Sequence, residues 1–116
     1  MRNYVSLVGR LGNDPTSREV KRGLNVASFS LAVRTSKGGQ EHTSWFRISA
    51  WDRACEKAMS MSKGQLVGLS GSIQIREYKN KDGEEKISVD VNAREIYAIT
   101  FTEAKKEPVA EEEIPW

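Results

Sequence analysis

Residues 43–51 alternate between two kinds of side chain, and this alternation constrains the fold more strongly than any other segment of the chain. Phe46, Ile48 and Ala50 fill the even positions, whereas the odd positions hold two tryptophans, an arginine and a serine. Successive side chains of a β-strand point to opposite faces of the sheet. The segment therefore predicts a strand whose even-numbered residues enter a core and whose odd-numbered residues face outward.

Other segments carry apolar patterns that are also typical of strands and are bounded by turn-forming residues. Residues 12–15 and 80–83 contain the Gly, Asn, Asp and Pro that tight turns favour, and residues 36–40 predict a flexible loop. Strands are predicted over residues 3–12, 25–34, 43–51, 65–78 and 85–97.

One short helix is predicted over residues 53–62, between the third and fourth strands, with Asp52 as its N-cap and Gly64 beyond its end. This order favours an all-β OB-fold, a five-stranded, partly open Greek-key barrel. Order alone also allows an SH3-like barrel or a small sandwich. The barrel domain is predicted to span residues 1–102. Residues 103–116 lose the periodicity and predict a disordered acidic tail.

The composition argues against several classes of protein. Cys55 is the only cysteine and His42 the only histidine, so we expect no intrachain disulfide, no metal site and no cofactor. Neither residue lies in a nucleophile motif, and the carboxylates near residue 83 read as a solvated hairpin tip. An enzyme is therefore not expected.

No apolar run approaches the roughly 18 residues of a membrane span, and no signal-peptide core is visible. These features predict a cytoplasmic location without a membrane partner.

Charge is distributed unevenly along the chain. Residues 103–116 carry five glutamates and two lysines, whereas the rest carries sixteen basic and eleven acidic residues. A basic body indicates an anionic ligand, and an acidic tail indicates a basic partner.

The outward residues of the segment 43–51 form the first candidate site. Trp45 and Trp51 flank Arg47 on the predicted outer face, where bases can stack on the rings and the guanidinium can meet phosphate. Arg76 and Tyr78 share an outward face of the fourth predicted strand in the same way. The alternative is that the tryptophans pack in a second core or an oligomer interface. Further candidates for contacts with an anionic strand are Arg10, Arg34, Lys37, Arg53 and Lys63.

The last six residues form the second candidate site. An acidic run leads into an apolar residue, a proline and a terminal aromatic, which suits a short peptide that docks into a pocket lined with basic residues. The alternative is a disordered end with a stray aromatic. The candidate partner-binding residues are Glu111, Glu112, Glu113, Ile114, Pro115 and Trp116.

These features resemble the bacterial single-stranded DNA-binding protein family along nearly the whole chain. The motifs that carry the resemblance are residues 7–15, 26–32, 43–47, 62–64 and 111–116. The resemblance implies sequence-independent binding and protection of single-stranded DNA during replication, recombination and repair. It also implies a nucleoid-associated homotetramer, or an assembly of fewer chains with more domains each, that recruits replication and repair proteins through the acidic tip. By the same resemblance, Trp45, Trp51 and Tyr78 occupy base-stacking positions.

Two departures from the family stand out. Many members carry another tryptophan just after the second strand, where this chain has Thr35, Ser36 and Lys37. The segment between barrel and tip, residues 103–110, is short, as expected for a phage, plasmid or paralogous version. Two other binding modules stay open: one that resembles the primosomal replication protein N, which lacks such a tip, and an OB module that binds only proteins.

Overall fold

The computed structural model describes residues 3–100. Their elements, in chain order, are β1 (Val5–Leu11), β2 (Thr16–Lys21), β3 (Leu24–Lys37), β4 (Gln40–Trp51), α1 (Arg53–Met59), β5 (Leu66–Lys79) and β6 (Glu85–Ala98). The predicted tail lies outside the described residues.

One sheet contains all six strands in the order β1-β5-β6-β4-β3-β2, and an additional pairing of β1 with β3 closes it. β1 and β2 both run antiparallel to β3, with Leu11 opposite Leu31 and Thr16 opposite Ser28. They therefore act as one strand that is interrupted at the predicted turn, residues 12–15. Counted in this way the barrel has five strands, and the prediction of an OB-fold with one short helix is confirmed.

The core lies on the side that the alternation in β4 predicts. Ile48 and Ala50 are buried, and Phe46 packs against the buried cluster. Helix α1 closes one end of this core with Ala54, Cys55 and Ala58. Burial of these apolar side chains is the main stabilising contribution, at about 25 cal/mol per Å² removed from water.

The ends of several elements differ from the predictions. β2 was not predicted, because all six of its side chains are exposed and give no apolar alternation. The helix ends at Met59 rather than at residue 62, and the side chain of Asp52 makes no capping hydrogen bond. Residues 36–40 do not form a loop. Lys37 pairs with Gln40, and only two glycines with φ of 60° and 81° separate β3 from β4.

Two β-hairpins extend beyond the barrel. The β3–β4 arm, residues 33–44, begins where the pairing of β1 with β3 ends at Ala32. The β5–β6 arm, residues 75–89, begins where the pairing of β4 with β6 starts at Asp90. Because β4 and β6 run parallel, both arms project from the same end of the barrel.

Candidate nucleic-acid interface

Trp45 stands on the outer face of the barrel, defined here as the solvent side of β1 to β4 and β6, and 58% of it is exposed. Its ring packs directly on Gly12. A Cβ atom at position 12 would lie 2.6 Å from Cζ3 of Trp45 and 2.6 Å from Oγ of Ser30. Ala32 pairs with Trp45 on one side and with Arg10 on the other. The register therefore places Arg10 on the same face as Trp45, with only the small side chain of Ala32 between them.

Trp51 occupies the other end of the same face of β4 and is half-buried. Its Nε1 donates a hydrogen bond to Oδ1 of Asn92, at 3.1 Å, which fixes the indole against β6. Val26 pairs with Trp51 on one side and with Arg18 of β2 on the other. The arrangement repeats that of Trp45, with an arginine two strands away from an indole.

A polar groove separates the two tryptophans, which are six residues apart and hence about 20 Å apart at roughly 3.3 Å per residue. Its volume is about 300 Å³, and its wall includes Arg47 and Ser49 of β4. The turn before β2 contributes Asn13, whose Oδ1 accepts hydrogen bonds from the backbone N–H and the hydroxyl of Ser30, at 2.9 and 2.7 Å. Two indoles around a groove with an arginine form a surface suited to flat aromatic groups and anions.

A second arrangement lies on β5 and β6. The Nε of Arg76 donates to Oδ2 of Asp90, at 3.2 Å, and the Cζ of Arg76 lies 5.6 Å from the ring centroid of Tyr78. Ser88 donates to Oδ1 of the same carboxylate, at 2.6 Å. The guanidinium of Arg76 is therefore held between a carboxylate and an aromatic ring.

The pKa of Asp90 lies below its usual range. The hydrogen bond from Ser88 is the largest cause, and partial burial opposes it. The hydrogen bond and the charge of Arg76 lower the pKa further, as does the charge of Arg47. Asp90 therefore carries its negative charge in the middle of a basic surface.

The remaining basic candidates fall in different places. Arg10 and Lys63 meet near the turn that supports Trp45, because Nη1 of Arg10 donates to the carbonyl of Gly64 at 3.0 Å and the N–H of Lys63 donates to Oδ1 of Asp14 at 2.8 Å. The first bond ties the end of β1 to the segment that precedes β5, and the second ties the turn at residues 12–15 to the same segment.

The three other basic candidates lie further out. Arg34 shares the outer face with Trp45 and forms an exposed ion pair with Glu41, at 3.7 Å. Arg53 opens α1 two residues after Trp51. Lys37 belongs to the opposite face of the β3–β4 arm, because its position alternates with that of Arg34. The structure thus does not bring Lys37 onto the outer face.

Sequence reasoning missed three side chains at this site: Arg18, Asp90 and Asn92. Arg18 lies on the unpredicted strand β2. Asp90 and Asn92 belong to β6, whose parallel pairing with β4 sets them opposite Arg47 and Ser49. Outward polar positions of β6 were visible in the alternation, but their neighbours depend on a pairing between distant segments.

Residues 3–100 hold no cluster of three or more His, Cys, Asp or Glu side chains that suits a metal ion. Across the same residues, no helix has the length and apolar character needed to cross a membrane. Cys55 is buried, and its burial, followed by the charges of Glu56 and Asp52, raises the pKa of its thiol. The candidate tip, residues 111–116, lies beyond the described residues, so its role stays a prediction.

Known proteins that resemble this chain carry consistent names. It is 36% identical over 115 residues to single-stranded DNA-binding protein 3 of Clostridium acetobutylicum, covering 96% of this chain and 80% of that protein. It is 38% identical over 100 residues to single-stranded DNA-binding protein 1 of Staphylococcus aureus, covering 83% of this chain and 64% of that protein. For a single-stranded DNA-binding protein of Neisseria meningitidis the identity is 40% over 100 residues, covering 81% of this chain and 58% of that protein. Residues 2–99 also match the profile of the Single-strand binding protein family, and the chain belongs to that family.

Proposed function

We propose that this protein binds single-stranded DNA without sequence preference through the outer face of its barrel. The observation that carries the proposal is the pair of tryptophans, Trp45 and Trp51, that flank a polar groove on one face of β4. Membership of the Single-strand binding protein family and the names of the relatives support it. The protein acts by binding and holding the strand, and no catalytic step is part of the proposal.

The indoles supply stacking surfaces for unpaired bases. Stacking on an aromatic side chain contributes about 1–3 kcal/mol per base and tolerates every base, because each has a π-face. Trp45 is more than half exposed, whereas Trp51 is half-buried and its Nε1 is bonded to Asn92. The strand is proposed to run across the groove from one indole to the other, with Arg47 at a phosphate between them.

Basic side chains around the two indoles supply the phosphate contacts. Arg10 and Lys63 serve the Trp45 end, with Arg34 beyond them on the β3–β4 arm, and Arg53 serves the Trp51 end. Arg18, which was not predicted as a site residue from the sequence, is added to the Trp51 end because it pairs with Val26. For a single strand of DNA, each phosphate that a cation neutralises steepens the slope of log K against log salt concentration by roughly 0.7.

The arms extend the path of the strand. Tyr78 and Arg76 on the β5–β6 arm are proposed to receive a further base and phosphate beyond the groove. Lys37 faces the other side of the β3–β4 arm, so it is proposed to contact DNA only where the strand passes around that hairpin.

The proposal also covers the assembly and the tail. One OB-fold holds only about 4–16 nucleotides, so a homotetramer would let the DNA wrap over several barrels. Residues 103–116 are proposed not to compete with DNA for the barrel. Their tip, residues 111–116, is proposed to bind replication and repair proteins in the cytoplasm.

The direct test is the anisotropy of a labelled oligo-dT titrated with the full chain over a series of salt concentrations. Binding should weaken steeply as salt rises, because phosphate contacts release counterions. A duplex of the same length should compete poorly, since its bases are stacked inside. No binding of oligo-dT at low salt would refute the proposal and favour an OB module that binds only proteins.

A further inference from the structure

An acidic side chain lies within the proposed DNA-binding face, where a negative charge would be expected to repel phosphate. Asp90 pairs in register with Arg47 on one side and with Gln74 on the other, and 28% of its side chain is exposed. A carboxylate at this place calls for a physical explanation, because it lies beside the DNA that the outer face is proposed to bind.

Both oxygens of this carboxylate are engaged, each by a different partner. Ser88, which is buried, donates to Oδ1 at 2.6 Å, and Arg76 donates its Nε–H to Oδ2 at 3.2 Å. The first bond fixes the carboxylate relative to β6. The second bond joins this fixed carboxylate to Arg76 of the neighbouring strand β5 and so restrains the arginine as well.

Arg76 is held in a way that leaves most of its donors free. A guanidinium has five N–H donors, and the bond to Asp90 uses only the one on Nε. The same guanidinium lies within the roughly 6 Å range of a cation–π contact with Tyr78. Its two Nη groups therefore stay available for a phosphate while the guanidinium is held near the ring.

We propose that Asp90 is a positioning residue for single-stranded DNA: it holds Arg76 over Tyr78, so that cation and ring meet phosphate and base as one preformed unit. This inference rests on the proposed function. Without the carboxylate, the long arginine side chain would have to be ordered by the DNA itself, at an entropic cost to binding. The proximity of Arg47 and Arg76 offsets the repulsion that the carboxylate would exert on phosphate.

The test is a double-mutant cycle on binding of oligo-dT by the full chain. Asp90→Asn keeps the shape and removes the charge, and it is compared in the wild-type background and in Arg76→Ala. Asp90→Asn should weaken binding about threefold to tenfold in the wild-type background, within the coupling range of contacting residues. In the Arg76→Ala background it should have no weakening effect, because there is no guanidinium left to position.

Salt dependence gives a readout that a merely structural role would not move. Loss of one ordered phosphate contact should reduce the slope of log K against log salt by up to about 0.7 in Asp90→Asn. The matched control is Glu41→Gln, which removes the acidic partner of Arg34 in an ion pair with both side chains exposed by more than 60%. That control should leave binding unchanged or slightly tighter. Ser88→Ala, which frees the carboxylate without changing charge, should reproduce part of the loss.

The possible results separate cleanly. Tighter binding and a steeper salt slope in Asp90→Asn would overturn the inference, because Asp90 would then act only by repulsion. Equal weakening with and without Arg76 would overturn it too, because the effect would not pass through the guanidinium. If the wild-type chain itself fails to bind oligo-dT, the proposed function falls instead. Should Asp90→Asn fail to fold, Ser88→Ala decides alone: unchanged affinity contradicts the inference.

Discussion

Gly12 offers a way to displace a proposed stacking surface without removing any of its atoms. Alanine at this position would bring its methyl group to 2.6 Å from Cζ3 of Trp45, whereas ordinary contact begins at 3.4 Å. The indole must therefore move by almost 1 Å, or Ser30 and the turn must move instead. Because the backbone at Gly12 is not in the left-handed region, the effect comes from the contacts with Trp45 and Ser30 and not from backbone strain.

The expected result for Gly12→Ala is a loss of oligo-dT affinity between about 1 kcal/mol and the roughly 3 kcal/mol that a stacked base contributes. Stability should fall by about 1–3 kcal/mol, as for other overpacked sites. Anisotropy titration measures the first quantity and urea unfolding the second.

Two controls make the Gly12 experiment decisive. In a Trp45→Ala background the added methyl meets no ring, so Gly12→Ala should cause no further loss of affinity. Gly68→Ala creates a similar clash with the ring of Tyr97, which lies on β6 five residues beyond Asn92 and is not among the proposed DNA contacts, and it should lower stability while sparing DNA binding. Wild-type affinity in Gly12→Ala would refute the role assigned to Trp45.

Three further predictions concern the stability of the fold, the reactivity of the thiol and the role of the tail. Asp90 has a lowered pKa, so its contribution to stability should be complete above the unfolded-state value of about 3.9 and should disappear as the pH falls through the lower folded value. Urea midpoints measured between about pH 2 and pH 5 should accordingly vary less in Asp90→Asn than in wild type. Cys55 is buried with a raised pKa, so a thiol reagent should modify it slowly in the native protein and rapidly in urea; equal rates would contradict its burial. Deletion of residues 111–116 should leave oligo-dT binding intact or slightly tighter and abolish capture of replication and repair proteins, whereas a large loss of DNA affinity would contradict the proposed division of roles.

The parts of the fold that the sequence predicts are those in which burial depends on local position. Phe46, Ile48 and Ala50 alternate with outward residues because one face of β4 is buried, and the period of the pattern reports that burial. β2 has no buried face, so its residues carry no such pattern and its strand conformation depends on pairing with β3.

The features of the candidate site also divide into those set by local sequence position and those set by the pairing of distant segments. The outward direction of Trp45 follows from the alternation within β4, but its contact with Gly12 depends on how β1 pairs with β3. The bonds of Asn92 and Asp90 depend on the parallel register of β4 with β6, which joins segments about forty residues apart. Lys37 was assigned to a loop, so no face was predicted for it, and its strand position reveals that it points away from the others.

The central claim is that bases stack on the two indoles of the outer face. Because the chain has three tryptophans, Trp116→Phe combined with Trp51→Phe leaves only Trp45, and combined with Trp45→Phe it leaves only Trp51. The fluorescence of each remaining indole should be quenched when oligo-dT is added at low salt, and high salt should reverse the quenching. Unchanged fluorescence of both indoles, while anisotropy shows the DNA bound, would contradict the claim.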